Sequence, residues 1–306
     1  MPSLETTFCG IRLESPFVNG SGTLDALVSG TLGVSAFVTK TVTLHPREGN
    51  PPPRIAETPS GMVNSIGLAN PGLECFAEDD LPRLAELGVP IIASVGGWSP
   101  DEYATAVARV GAHPVVVAVE LNVSCPNVES GCISIGTDAA ETRSLVERCR
   151  DETDVPILAK LSPSVTEIEA IATAAAEGGA HGLVLINTLR GIAIDRTTLR
   201  PLLGGGGGGL SGPAIKPVAL HAVYHARAAT GLPIIGMGGV AGAADASEFL
   251  AAGATLVGIG TALFRDPGAV ERASTDLLAD LERRGVSGPG ELVAAAHPPT
   301  STSSRA

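Results

Sequence analysis

Short, near-continuous apolar runs separated by stretches of helical period dominate the chain. They predict strands at Pro16–Asn19, Ala36–Lys40, Ile91–Val95, Val115–Asn122, Val155–Leu161, Gly182–Ile186, Pro233–Gly236 and Thr255–Ile259. Runs of this kind, rather than strict apolar–polar alternation, mark parallel strands covered on both faces. Ser99-Pro100-Asp101-Glu102 supplies a helix N-cap, a proline at the first helical position and a capping-box glutamate. Ser164 with Glu167, and Asp245 with Glu248, repeat that spacing, and Asp266-Pro267 opens the last long helix. Ile168, Ile171, Ala172 and Ala175 mark one buried helix face, and Leu277, Leu278 and Leu281 mark another. Thr6 to Leu13 reads as a small hairpin ahead of the main fold. Eight strands, each followed by a helix or a long loop, make an α/β fold of the (β/α)8 TIM-barrel type with an N-terminal hairpin. A doubly wound open sheet is the alternative, but no G-x-G-x-x-G follows the first strand. Residues 1–296 are expected to form a single domain. The polar segment 297–306 is expected to be a disordered tail.

Composition narrows the function. Of 306 residues, 44% are hydrophobic and only 3% aromatic, so the core must be built from Val, Ile, Leu and Ala. A net charge of −12 argues against nucleic acid or an anionic membrane as partner, while leaving room for one local basic pocket. The five cysteines are scattered and form no C-x-x-C pair, so neither a zinc site nor an iron–sulfur cluster is signalled within this chain. The N-terminus carries no basic segment followed by an apolar one, and no apolar run reaches membrane-spanning length. A reduced, cytoplasmic protein is expected.

Function in a barrel collects at the C-terminal ends of the strands. The fourth run, Val115 to Val119, ends in Glu120-Leu121-Asn122-Val123-Ser124-Cys125-Pro126-Asn127. Cys125 reads either as a small buried hydrophobe or as a catalytic thiol. Pro126 holds the turn, and two amides beside a thiol suit a flat polar substrate that must lose a proton. Lys40 and Lys160 end the second and fifth strands, where each either snorkels to the rim or binds an anion. Other strand ends present Ser21, Thr41, Ser94, Asn187 and Thr188. Glycines at 212, 238, 239 and 260, with Thr261, lie where barrels commonly bind phosphate against backbone N–H groups.

The ordered set of these motifs resembles the class 1 dihydroorotate dehydrogenases. Carrying the resemblance are Lys40-Thr41-Val42-Thr43-Leu44, Gly49-Asn50-Pro51, Pro53-Arg54, Asn64-Ser65-Ile66-Gly67-Leu68 and the 122–127 loop. Ala159-Lys160-Leu161-Ser162-Pro163, Ile186-Asn187-Thr188, Gly209-Leu210-Ser211-Gly212-Pro213 and Gly236-Met237-Gly238-Gly239-Val240 continue it, from about Pro16 to Phe264. The resemblance implies oxidation of (S)-dihydroorotate to orotate in pyrimidine biosynthesis, with FMN as cofactor. It makes Cys125 the base that removes a proton from C5 while the C6 hydride goes to flavin N5. Lys160 would stand at the N1–C2 edge of the flavin, and Lys40 would touch flavin and substrate. Asn64, Ser65, Ile66, Gly67, Leu68, Asn122, Asn127, Asn187 and Thr188 would read the substrate. Ser21, Thr41, Ser94, Asn122, Ile186, Gly212, Gly238, Gly239, Gly260 and Thr261 would line the flavin and its phosphate.

Leu44 to Pro51, with Ala69-Asn70-Pro71-Gly72-Leu73-Glu74, is most similar to the NAD-linked type, 1B. That type pairs this subunit with another carrying FAD and a 2Fe–2S cluster, and the resemblance further implies a homodimeric core. Four features depart from the family pattern. Ser94 replaces a usual asparagine, and Gly131-Cys132 replaces a usual Gly-Gly, so that Cys132 is either an inert neighbour of Cys125 or its partner under oxidation. The segment between Thr23 and Ser35 is short, and six glycines at 204–209 predict a mobile loop. Two other readings stay open: a related flavoenzyme acting on another dihydropyrimidine, and a flavin-free barrel lyase or isomerase binding a phosphorylated substrate.

Overall fold

Side chains alternate across a strand, and that alternation sorts the apolar residues into two cores. The computed structural model describes residues 2–123 and 135–299. Its barrel strands are β3 (Phe17–Asn19), β4 (Phe37–Val38), β7 (Ile91–Val95), β8 (Val116–Asn122), β9 (Ile157–Lys160), β10 (Gly182–Leu185), β13 (Ile234–Met237) and β14 (Leu256–Ile259). Val18, Val38, Ile92, Ala118, Leu158, Val184, Ile235 and Leu256 fill the barrel interior. Their sequence neighbours Phe37, Val119, Leu121, Ile157, Leu183, Leu185 and Val257 pack outward in the larger core shared with the helices. The hairpin of β1 (Thr6–Phe8) and β2 (Ile11–Leu13) adds Phe8 and Leu13 to the interior cluster. Cys9 Sγ donates to His181 O, which places the hairpin at the N-terminal end of β10, below the barrel.

All eight predicted strands are present, each within two residues of the expected ends. They pair in parallel in the order β3-β14-β13-β10-β9-β8-β7-β4. The seam between β3 and β4 is closed by a single Val18–Ala36 bridge and by a side chain. Asn19 Oδ1 accepts from Val38 N at 2.8 Å, and Asn19 Nδ2 donates to Val38 O at 2.8 Å. The amide thus stands in for a peptide group where the strands are too short to pair along their length.

Three helix starts differ in detail from expectation. Pro100–Gly111 begins as predicted, with Ser99 Oγ accepting from Glu102 N, but the Glu102 carboxylate reaches back to Trp98 N at 2.7 Å. Ile168–Glu177 starts after Glu167 without a side-chain cap, and Ala243–Ala252 starts ahead of Asp245. Asp245 instead accepts from Ala241 N, just ahead of the helix, and from Lys216 Nζ at the start of the preceding helix. The last long helix, Ala269–Arg284, buries Leu277 and Leu281 but leaves Leu278 38% exposed.

A second sheet was not predicted. β5 (Ile55–Thr58), β6 (Gly61–Asn64), β11 (Leu189–Gly191) and β12 (Gly208–Ser211) pair antiparallel in the order β11-β12-β6-β5. It joins the excursion after β4 to the one after β10. The glycine run is therefore not a mobile loop: its last two residues start β12, and Leu203 bridges Gly206. Close approach explains the glycines. A Cβ on Gly208 would fall 2.2 Å from Asn64 O, and one on Gly209 would fall 2.0 Å from Thr188 Oγ1. His297, the first residue of the expected tail, is packed, and residues 300–306 of that segment lie outside the described residues. Its ring stacks on Tyr224 at 4.0 Å between centroids and its Nε2 lies 2.9 Å from Ala252 O.

Candidate active site

Above the apolar interior, the same alternation brings polar residues inward. Ile92 is followed two residues on by Ser94, Ala118 by Glu120 and Asn122, Leu158 by Lys160, and Val38 by Lys40. Thr41, Ser94, Glu120, Asn122 and Lys160 are all buried at the barrel mouth. Buried polar groups need partners, and here they form one connected set. Ser21 Oγ lies 3.3 Å from Thr41 Oγ1, which lies 2.9 Å from Ser94 Oγ and accepts from Asn122 Nδ2 at 2.9 Å. Asn187 Nδ2 donates to Asn122 Oδ1 at 3.2 Å, and Asn187 Oδ1 accepts from Thr188 N at 2.7 Å. Tyr103, wholly buried beneath, donates to Asn122 O at 2.8 Å and fixes the end of β8.

Glu120 was missed by the sequence reading. Its Oε1 accepts from Ser94 Oγ at 2.7 Å and from Lys160 Nζ at 3.3 Å. Counting back two residues from Asn122 along a strand would have put its side chain inside the barrel. Lys40 lies along the turn after β3, where a Cβ on Gly22 would fall 2.8 Å from its Cδ and 3.3 Å from its Nζ.

One side of the mouth is built from bare backbone. Gly212, Gly238 and Gly239 all have positive φ, of 97°, 125° and 86°. A Cβ on Gly239 would meet Gly212 O at 2.9 Å, and one on Gly212 would approach Gly61 Cα at 2.7 Å and Thr261 Cγ2 at 3.6 Å. Thr261 Oγ1 donates to Ser211 Oγ at 2.8 Å, and Gly20 and Gly260 run close together. Ile186, buried, adjoins Gly238 and donates its N–H to Met237 O. A cradle without side chains, at the ends of the last two strands, suits a phosphate.

β6 leads into the 64–70 turn, held by two further asparagines. Asn50 donates to Ser65 Oγ at 2.7 Å and its backbone N–H to Ile66 O at 3.1 Å. Asn70 accepts from Thr43 N and Gly72 N and donates to Leu68 O and Thr43 Oγ1. Arg47 Nε donates to Gly67 O at 3.3 Å while its guanidinium stacks over Trp98, which packs on Leu68. Asn64 Nδ2 donates to Gly209 O at 3.3 Å, tying the turn to β12 and so to Thr188.

Of the predicted residues, Ser21, Thr41, Ser94, Asn122, Asn187 and Thr188 are thus linked by hydrogen bonds at the barrel mouth, and Gly212, Gly238, Gly239 and Ile186 lie against one another. Cys125, Asn127 and Cys132 lie outside the described residues. Of the other thiols, burial pushes Cys9 and Cys149 up to about 12, and Cys75 is raised by desolvation and the carboxylates of Asp79, Asp80 and Glu78. None of these three is poised as a base at neutral pH. Among the described residues, no group of three or more His, Cys, Asp or Glu is placed to hold a metal ion, and no helix is long and apolar enough to cross a membrane.

Comparison with known proteins identifies the family. The family model described as dihydroorotate dehydrogenase matches residues 3–281. The chain is 49% identical over 293 residues to a protein of Desulforudis audaxviator named dihydroorotate dehydrogenase B (NAD(+)), catalytic subunit, covering 94% of this chain and 95% of the relative. It is 44% identical over 299 residues to the protein of that name from Pelobacter propionicus, covering 96% and 98%. Among solved structures, that of a dihydroorotate dehydrogenase from Eimeria tenella, in complex with ferulenol, superposes with a TM-score of 0.82. At 23% identity, over 98% of this chain and 90% of that one, the superposition speaks for the fold. With the family model spanning nearly the whole barrel and close relatives matching end to end, the chain belongs to the dihydroorotate dehydrogenase family.

Proposed function

We infer that the chain oxidises dihydroorotate to orotate with FMN as its bound cofactor, residues 1–296 forming one FMN-binding domain. The observation that carries this reading is that the barrel mouth holds a buried ammonium, the hydrogen-bonded amides of Asn122 and Asn187 and a side-chain-free glycine cradle. The donor set fits the cofactor: Gly212, Gly238, Gly239, Gly260 and Thr261 suit its phosphate, and Ser21, Lys40, Thr41, Ser94, Asn122, Lys160 and Ile186 suit its ring. FMN, when bound, accepts the hydride from C6 of the substrate.

The chain's own residues supply the rest. Cys125 takes the C5 proton as thiolate, and Asn64, Asn122, Asn127 and Asn187 hold the ring amides and carboxylate flat against the cofactor. Thr188, Lys40 and the backbone from Ser65 to Leu68 complete the substrate contacts. Lys160 favours the negative charge that accumulates on the cofactor during reduction. The test is anaerobic addition of dihydroorotate to the FMN-loaded protein. Bleaching of the flavin spectrum is expected; a flavin that dihydroorotate does not bleach would remove the substrate assignment.

The names of the relatives support assignment to the NAD-linked 1B type. A second subunit with FAD and a 2Fe–2S cluster would then carry electrons to NAD⁺, and a homodimer of this chain would form the core of the assembly. A cytoplasmic setting is in keeping with the free thiols of Cys9, Cys75 and Cys149. Dihydroorotate-dependent NAD⁺ reduction should appear only when the second subunit is added; the same rate without it would overturn the partner assignment.

A further inference from the structure

Glu120 has no part in the roles assigned so far, yet it is the most buried charged group at the cleft. Its side chain is fully shielded from solvent and stands on the interior face of β8, directly above Ala118. Oε1 receives both Ser94 Oγ and Lys160 Nζ, while Oε2 has no hydrogen-bond partner among the described residues. A carboxylate held out of water with one oxygen unsatisfied is costly, and an aliphatic residue would fill the same volume without that cost. What Glu120 supplies there that an aliphatic residue would not is its charge.

The strand register explains how the charge is aimed. Ser94 lies opposite Glu120, and Lys160 lies opposite Asn122, two residues further along β8, so the lysine reaches the carboxylate from the next level towards the mouth. Ser94 also meets Thr41 at 2.9 Å, which fixes the carboxylate from the β7 side. Lys160 is only 7% exposed, so its ammonium cannot turn away from Glu120 into solvent. A cation beside a flavin raises the flavin's affinity for electrons, and a carboxylate 3.3 Å from that cation counteracts it, strongly so in a medium of low effective dielectric.

We propose that Glu120 is a positioning residue that holds Lys160 by its ammonium and offsets its charge, so that the pair, and not the lysine alone, sets the reduction potential of the bound flavin. The proposal rests on the flavin reading above. Its chemical consequence is a flavin kept from holding its electrons too tightly, which favours passing them to an acceptor of low potential.

The experiment compares wild-type and E120Q protein, both reconstituted with FMN and poised anaerobically against a reference dye. In E120Q the ratio of reduced to oxidised flavin at a fixed dye potential should rise at least about tenfold, equivalent to about 30 mV for a two-electron couple. S94A keeps both charges but removes a donor that draws charge from Oε1, so its potential should move the opposite way. A folded, flavin-loaded E120Q with the wild-type potential overturns the proposal. Where E120Q does not fold, an unshifted or raised potential in S94A overturns it instead. Failure of the wild-type protein to take up FMN would strike the flavin reading itself, and is seen before any variant is compared.

Discussion

A hydroxyl in place of the Cys125 thiol is a far weaker base at neutral pH, and that difference isolates the proton-transfer step. Cys125→Ser is expected to bind FMN normally and to slow its reduction by dihydroorotate at least about a hundredfold, read by anaerobic stopped flow. Unchanged reduction would remove Cys125 from the chemistry. Lys160→Ala makes the complementary change. It strands the Glu120 carboxylate in the barrel, at a cost of about 3–5 kcal/mol in unfolding free energy, and weakens FMN binding. A variant as stable and as fully flavinated as the wild type would contradict both roles of the lysine. The thiols themselves can be ranked. Because burial pushes Cys9 and Cys149 up to about 12, alkylation of the folded protein at pH 8 should leave both unlabelled, as judged by mass spectrometry.

Among the elements, the glycine run offers the sharpest contrast. A Cβ on Gly204 would fall 2.3 Å from Pro51 O, and one on Gly208 2.2 Å from Asn64 O, whereas one on Gly207 would meet nothing closer than 3.4 Å. Gly204→Ala and Gly208→Ala should each lose about 1–3 kcal/mol in denaturant unfolding, and Gly207→Ala should lose much less. Equal effects would mean that flexibility, not close approach, is what the run supplies. The joint between the last two long helices has a pH signature. Asp280 accepts from Arg284 and from Ser247, and these contacts hold its carboxyl below the ordinary aspartate value of 3.8. A depressed folded pKa means stability that is present above the ordinary value and is lost as pH falls through the folded one. Thermal melts should show Asp280→Asn less stable than wild type at pH 7, with the gap narrowing as the pH is taken below 3.8. A gap that stays constant through that range would remove the ionic contribution.

For the molecule as a whole, what the sequence disclosed and what it concealed have separate physical causes. The eight barrel strands were legible because each is buried on both sides and so is apolar throughout, as in Ile91–Val95. The upper sheet was concealed because its strands are three or four residues long, and one of them is Gly-Gly-Leu-Ser. Such a strand is specified by its neighbours and not by its own propensity. Asn122, Lys160, Asn187 and the glycine turns were legible as strand ends. The inward side of Glu120 was legible by the count back from Asn122, but its ion pair was not, since its partner lies 40 residues away and only the pairing of β8 with β9 brings the two together. Asn19 is a similar case: nothing local reveals that its amide will close a barrel.

The upper sheet also bears on how such an enzyme could change. Barrels diversify most easily when each loop at the mouth can be exchanged by itself on an unaltered frame. Here Asn64 at the end of β6 faces Gly209 on β12, and Gly209 in turn leaves no room beyond Thr188. The excursion after β4 and the one after β10 are therefore a single heritable unit. A graft of either one from a distant relative would set a foreign strand against a native partner whose glycines are spaced for another backbone. Both together could be transplanted as one cassette, and new substrate preference in this lineage would arrive by paired changes across the two segments.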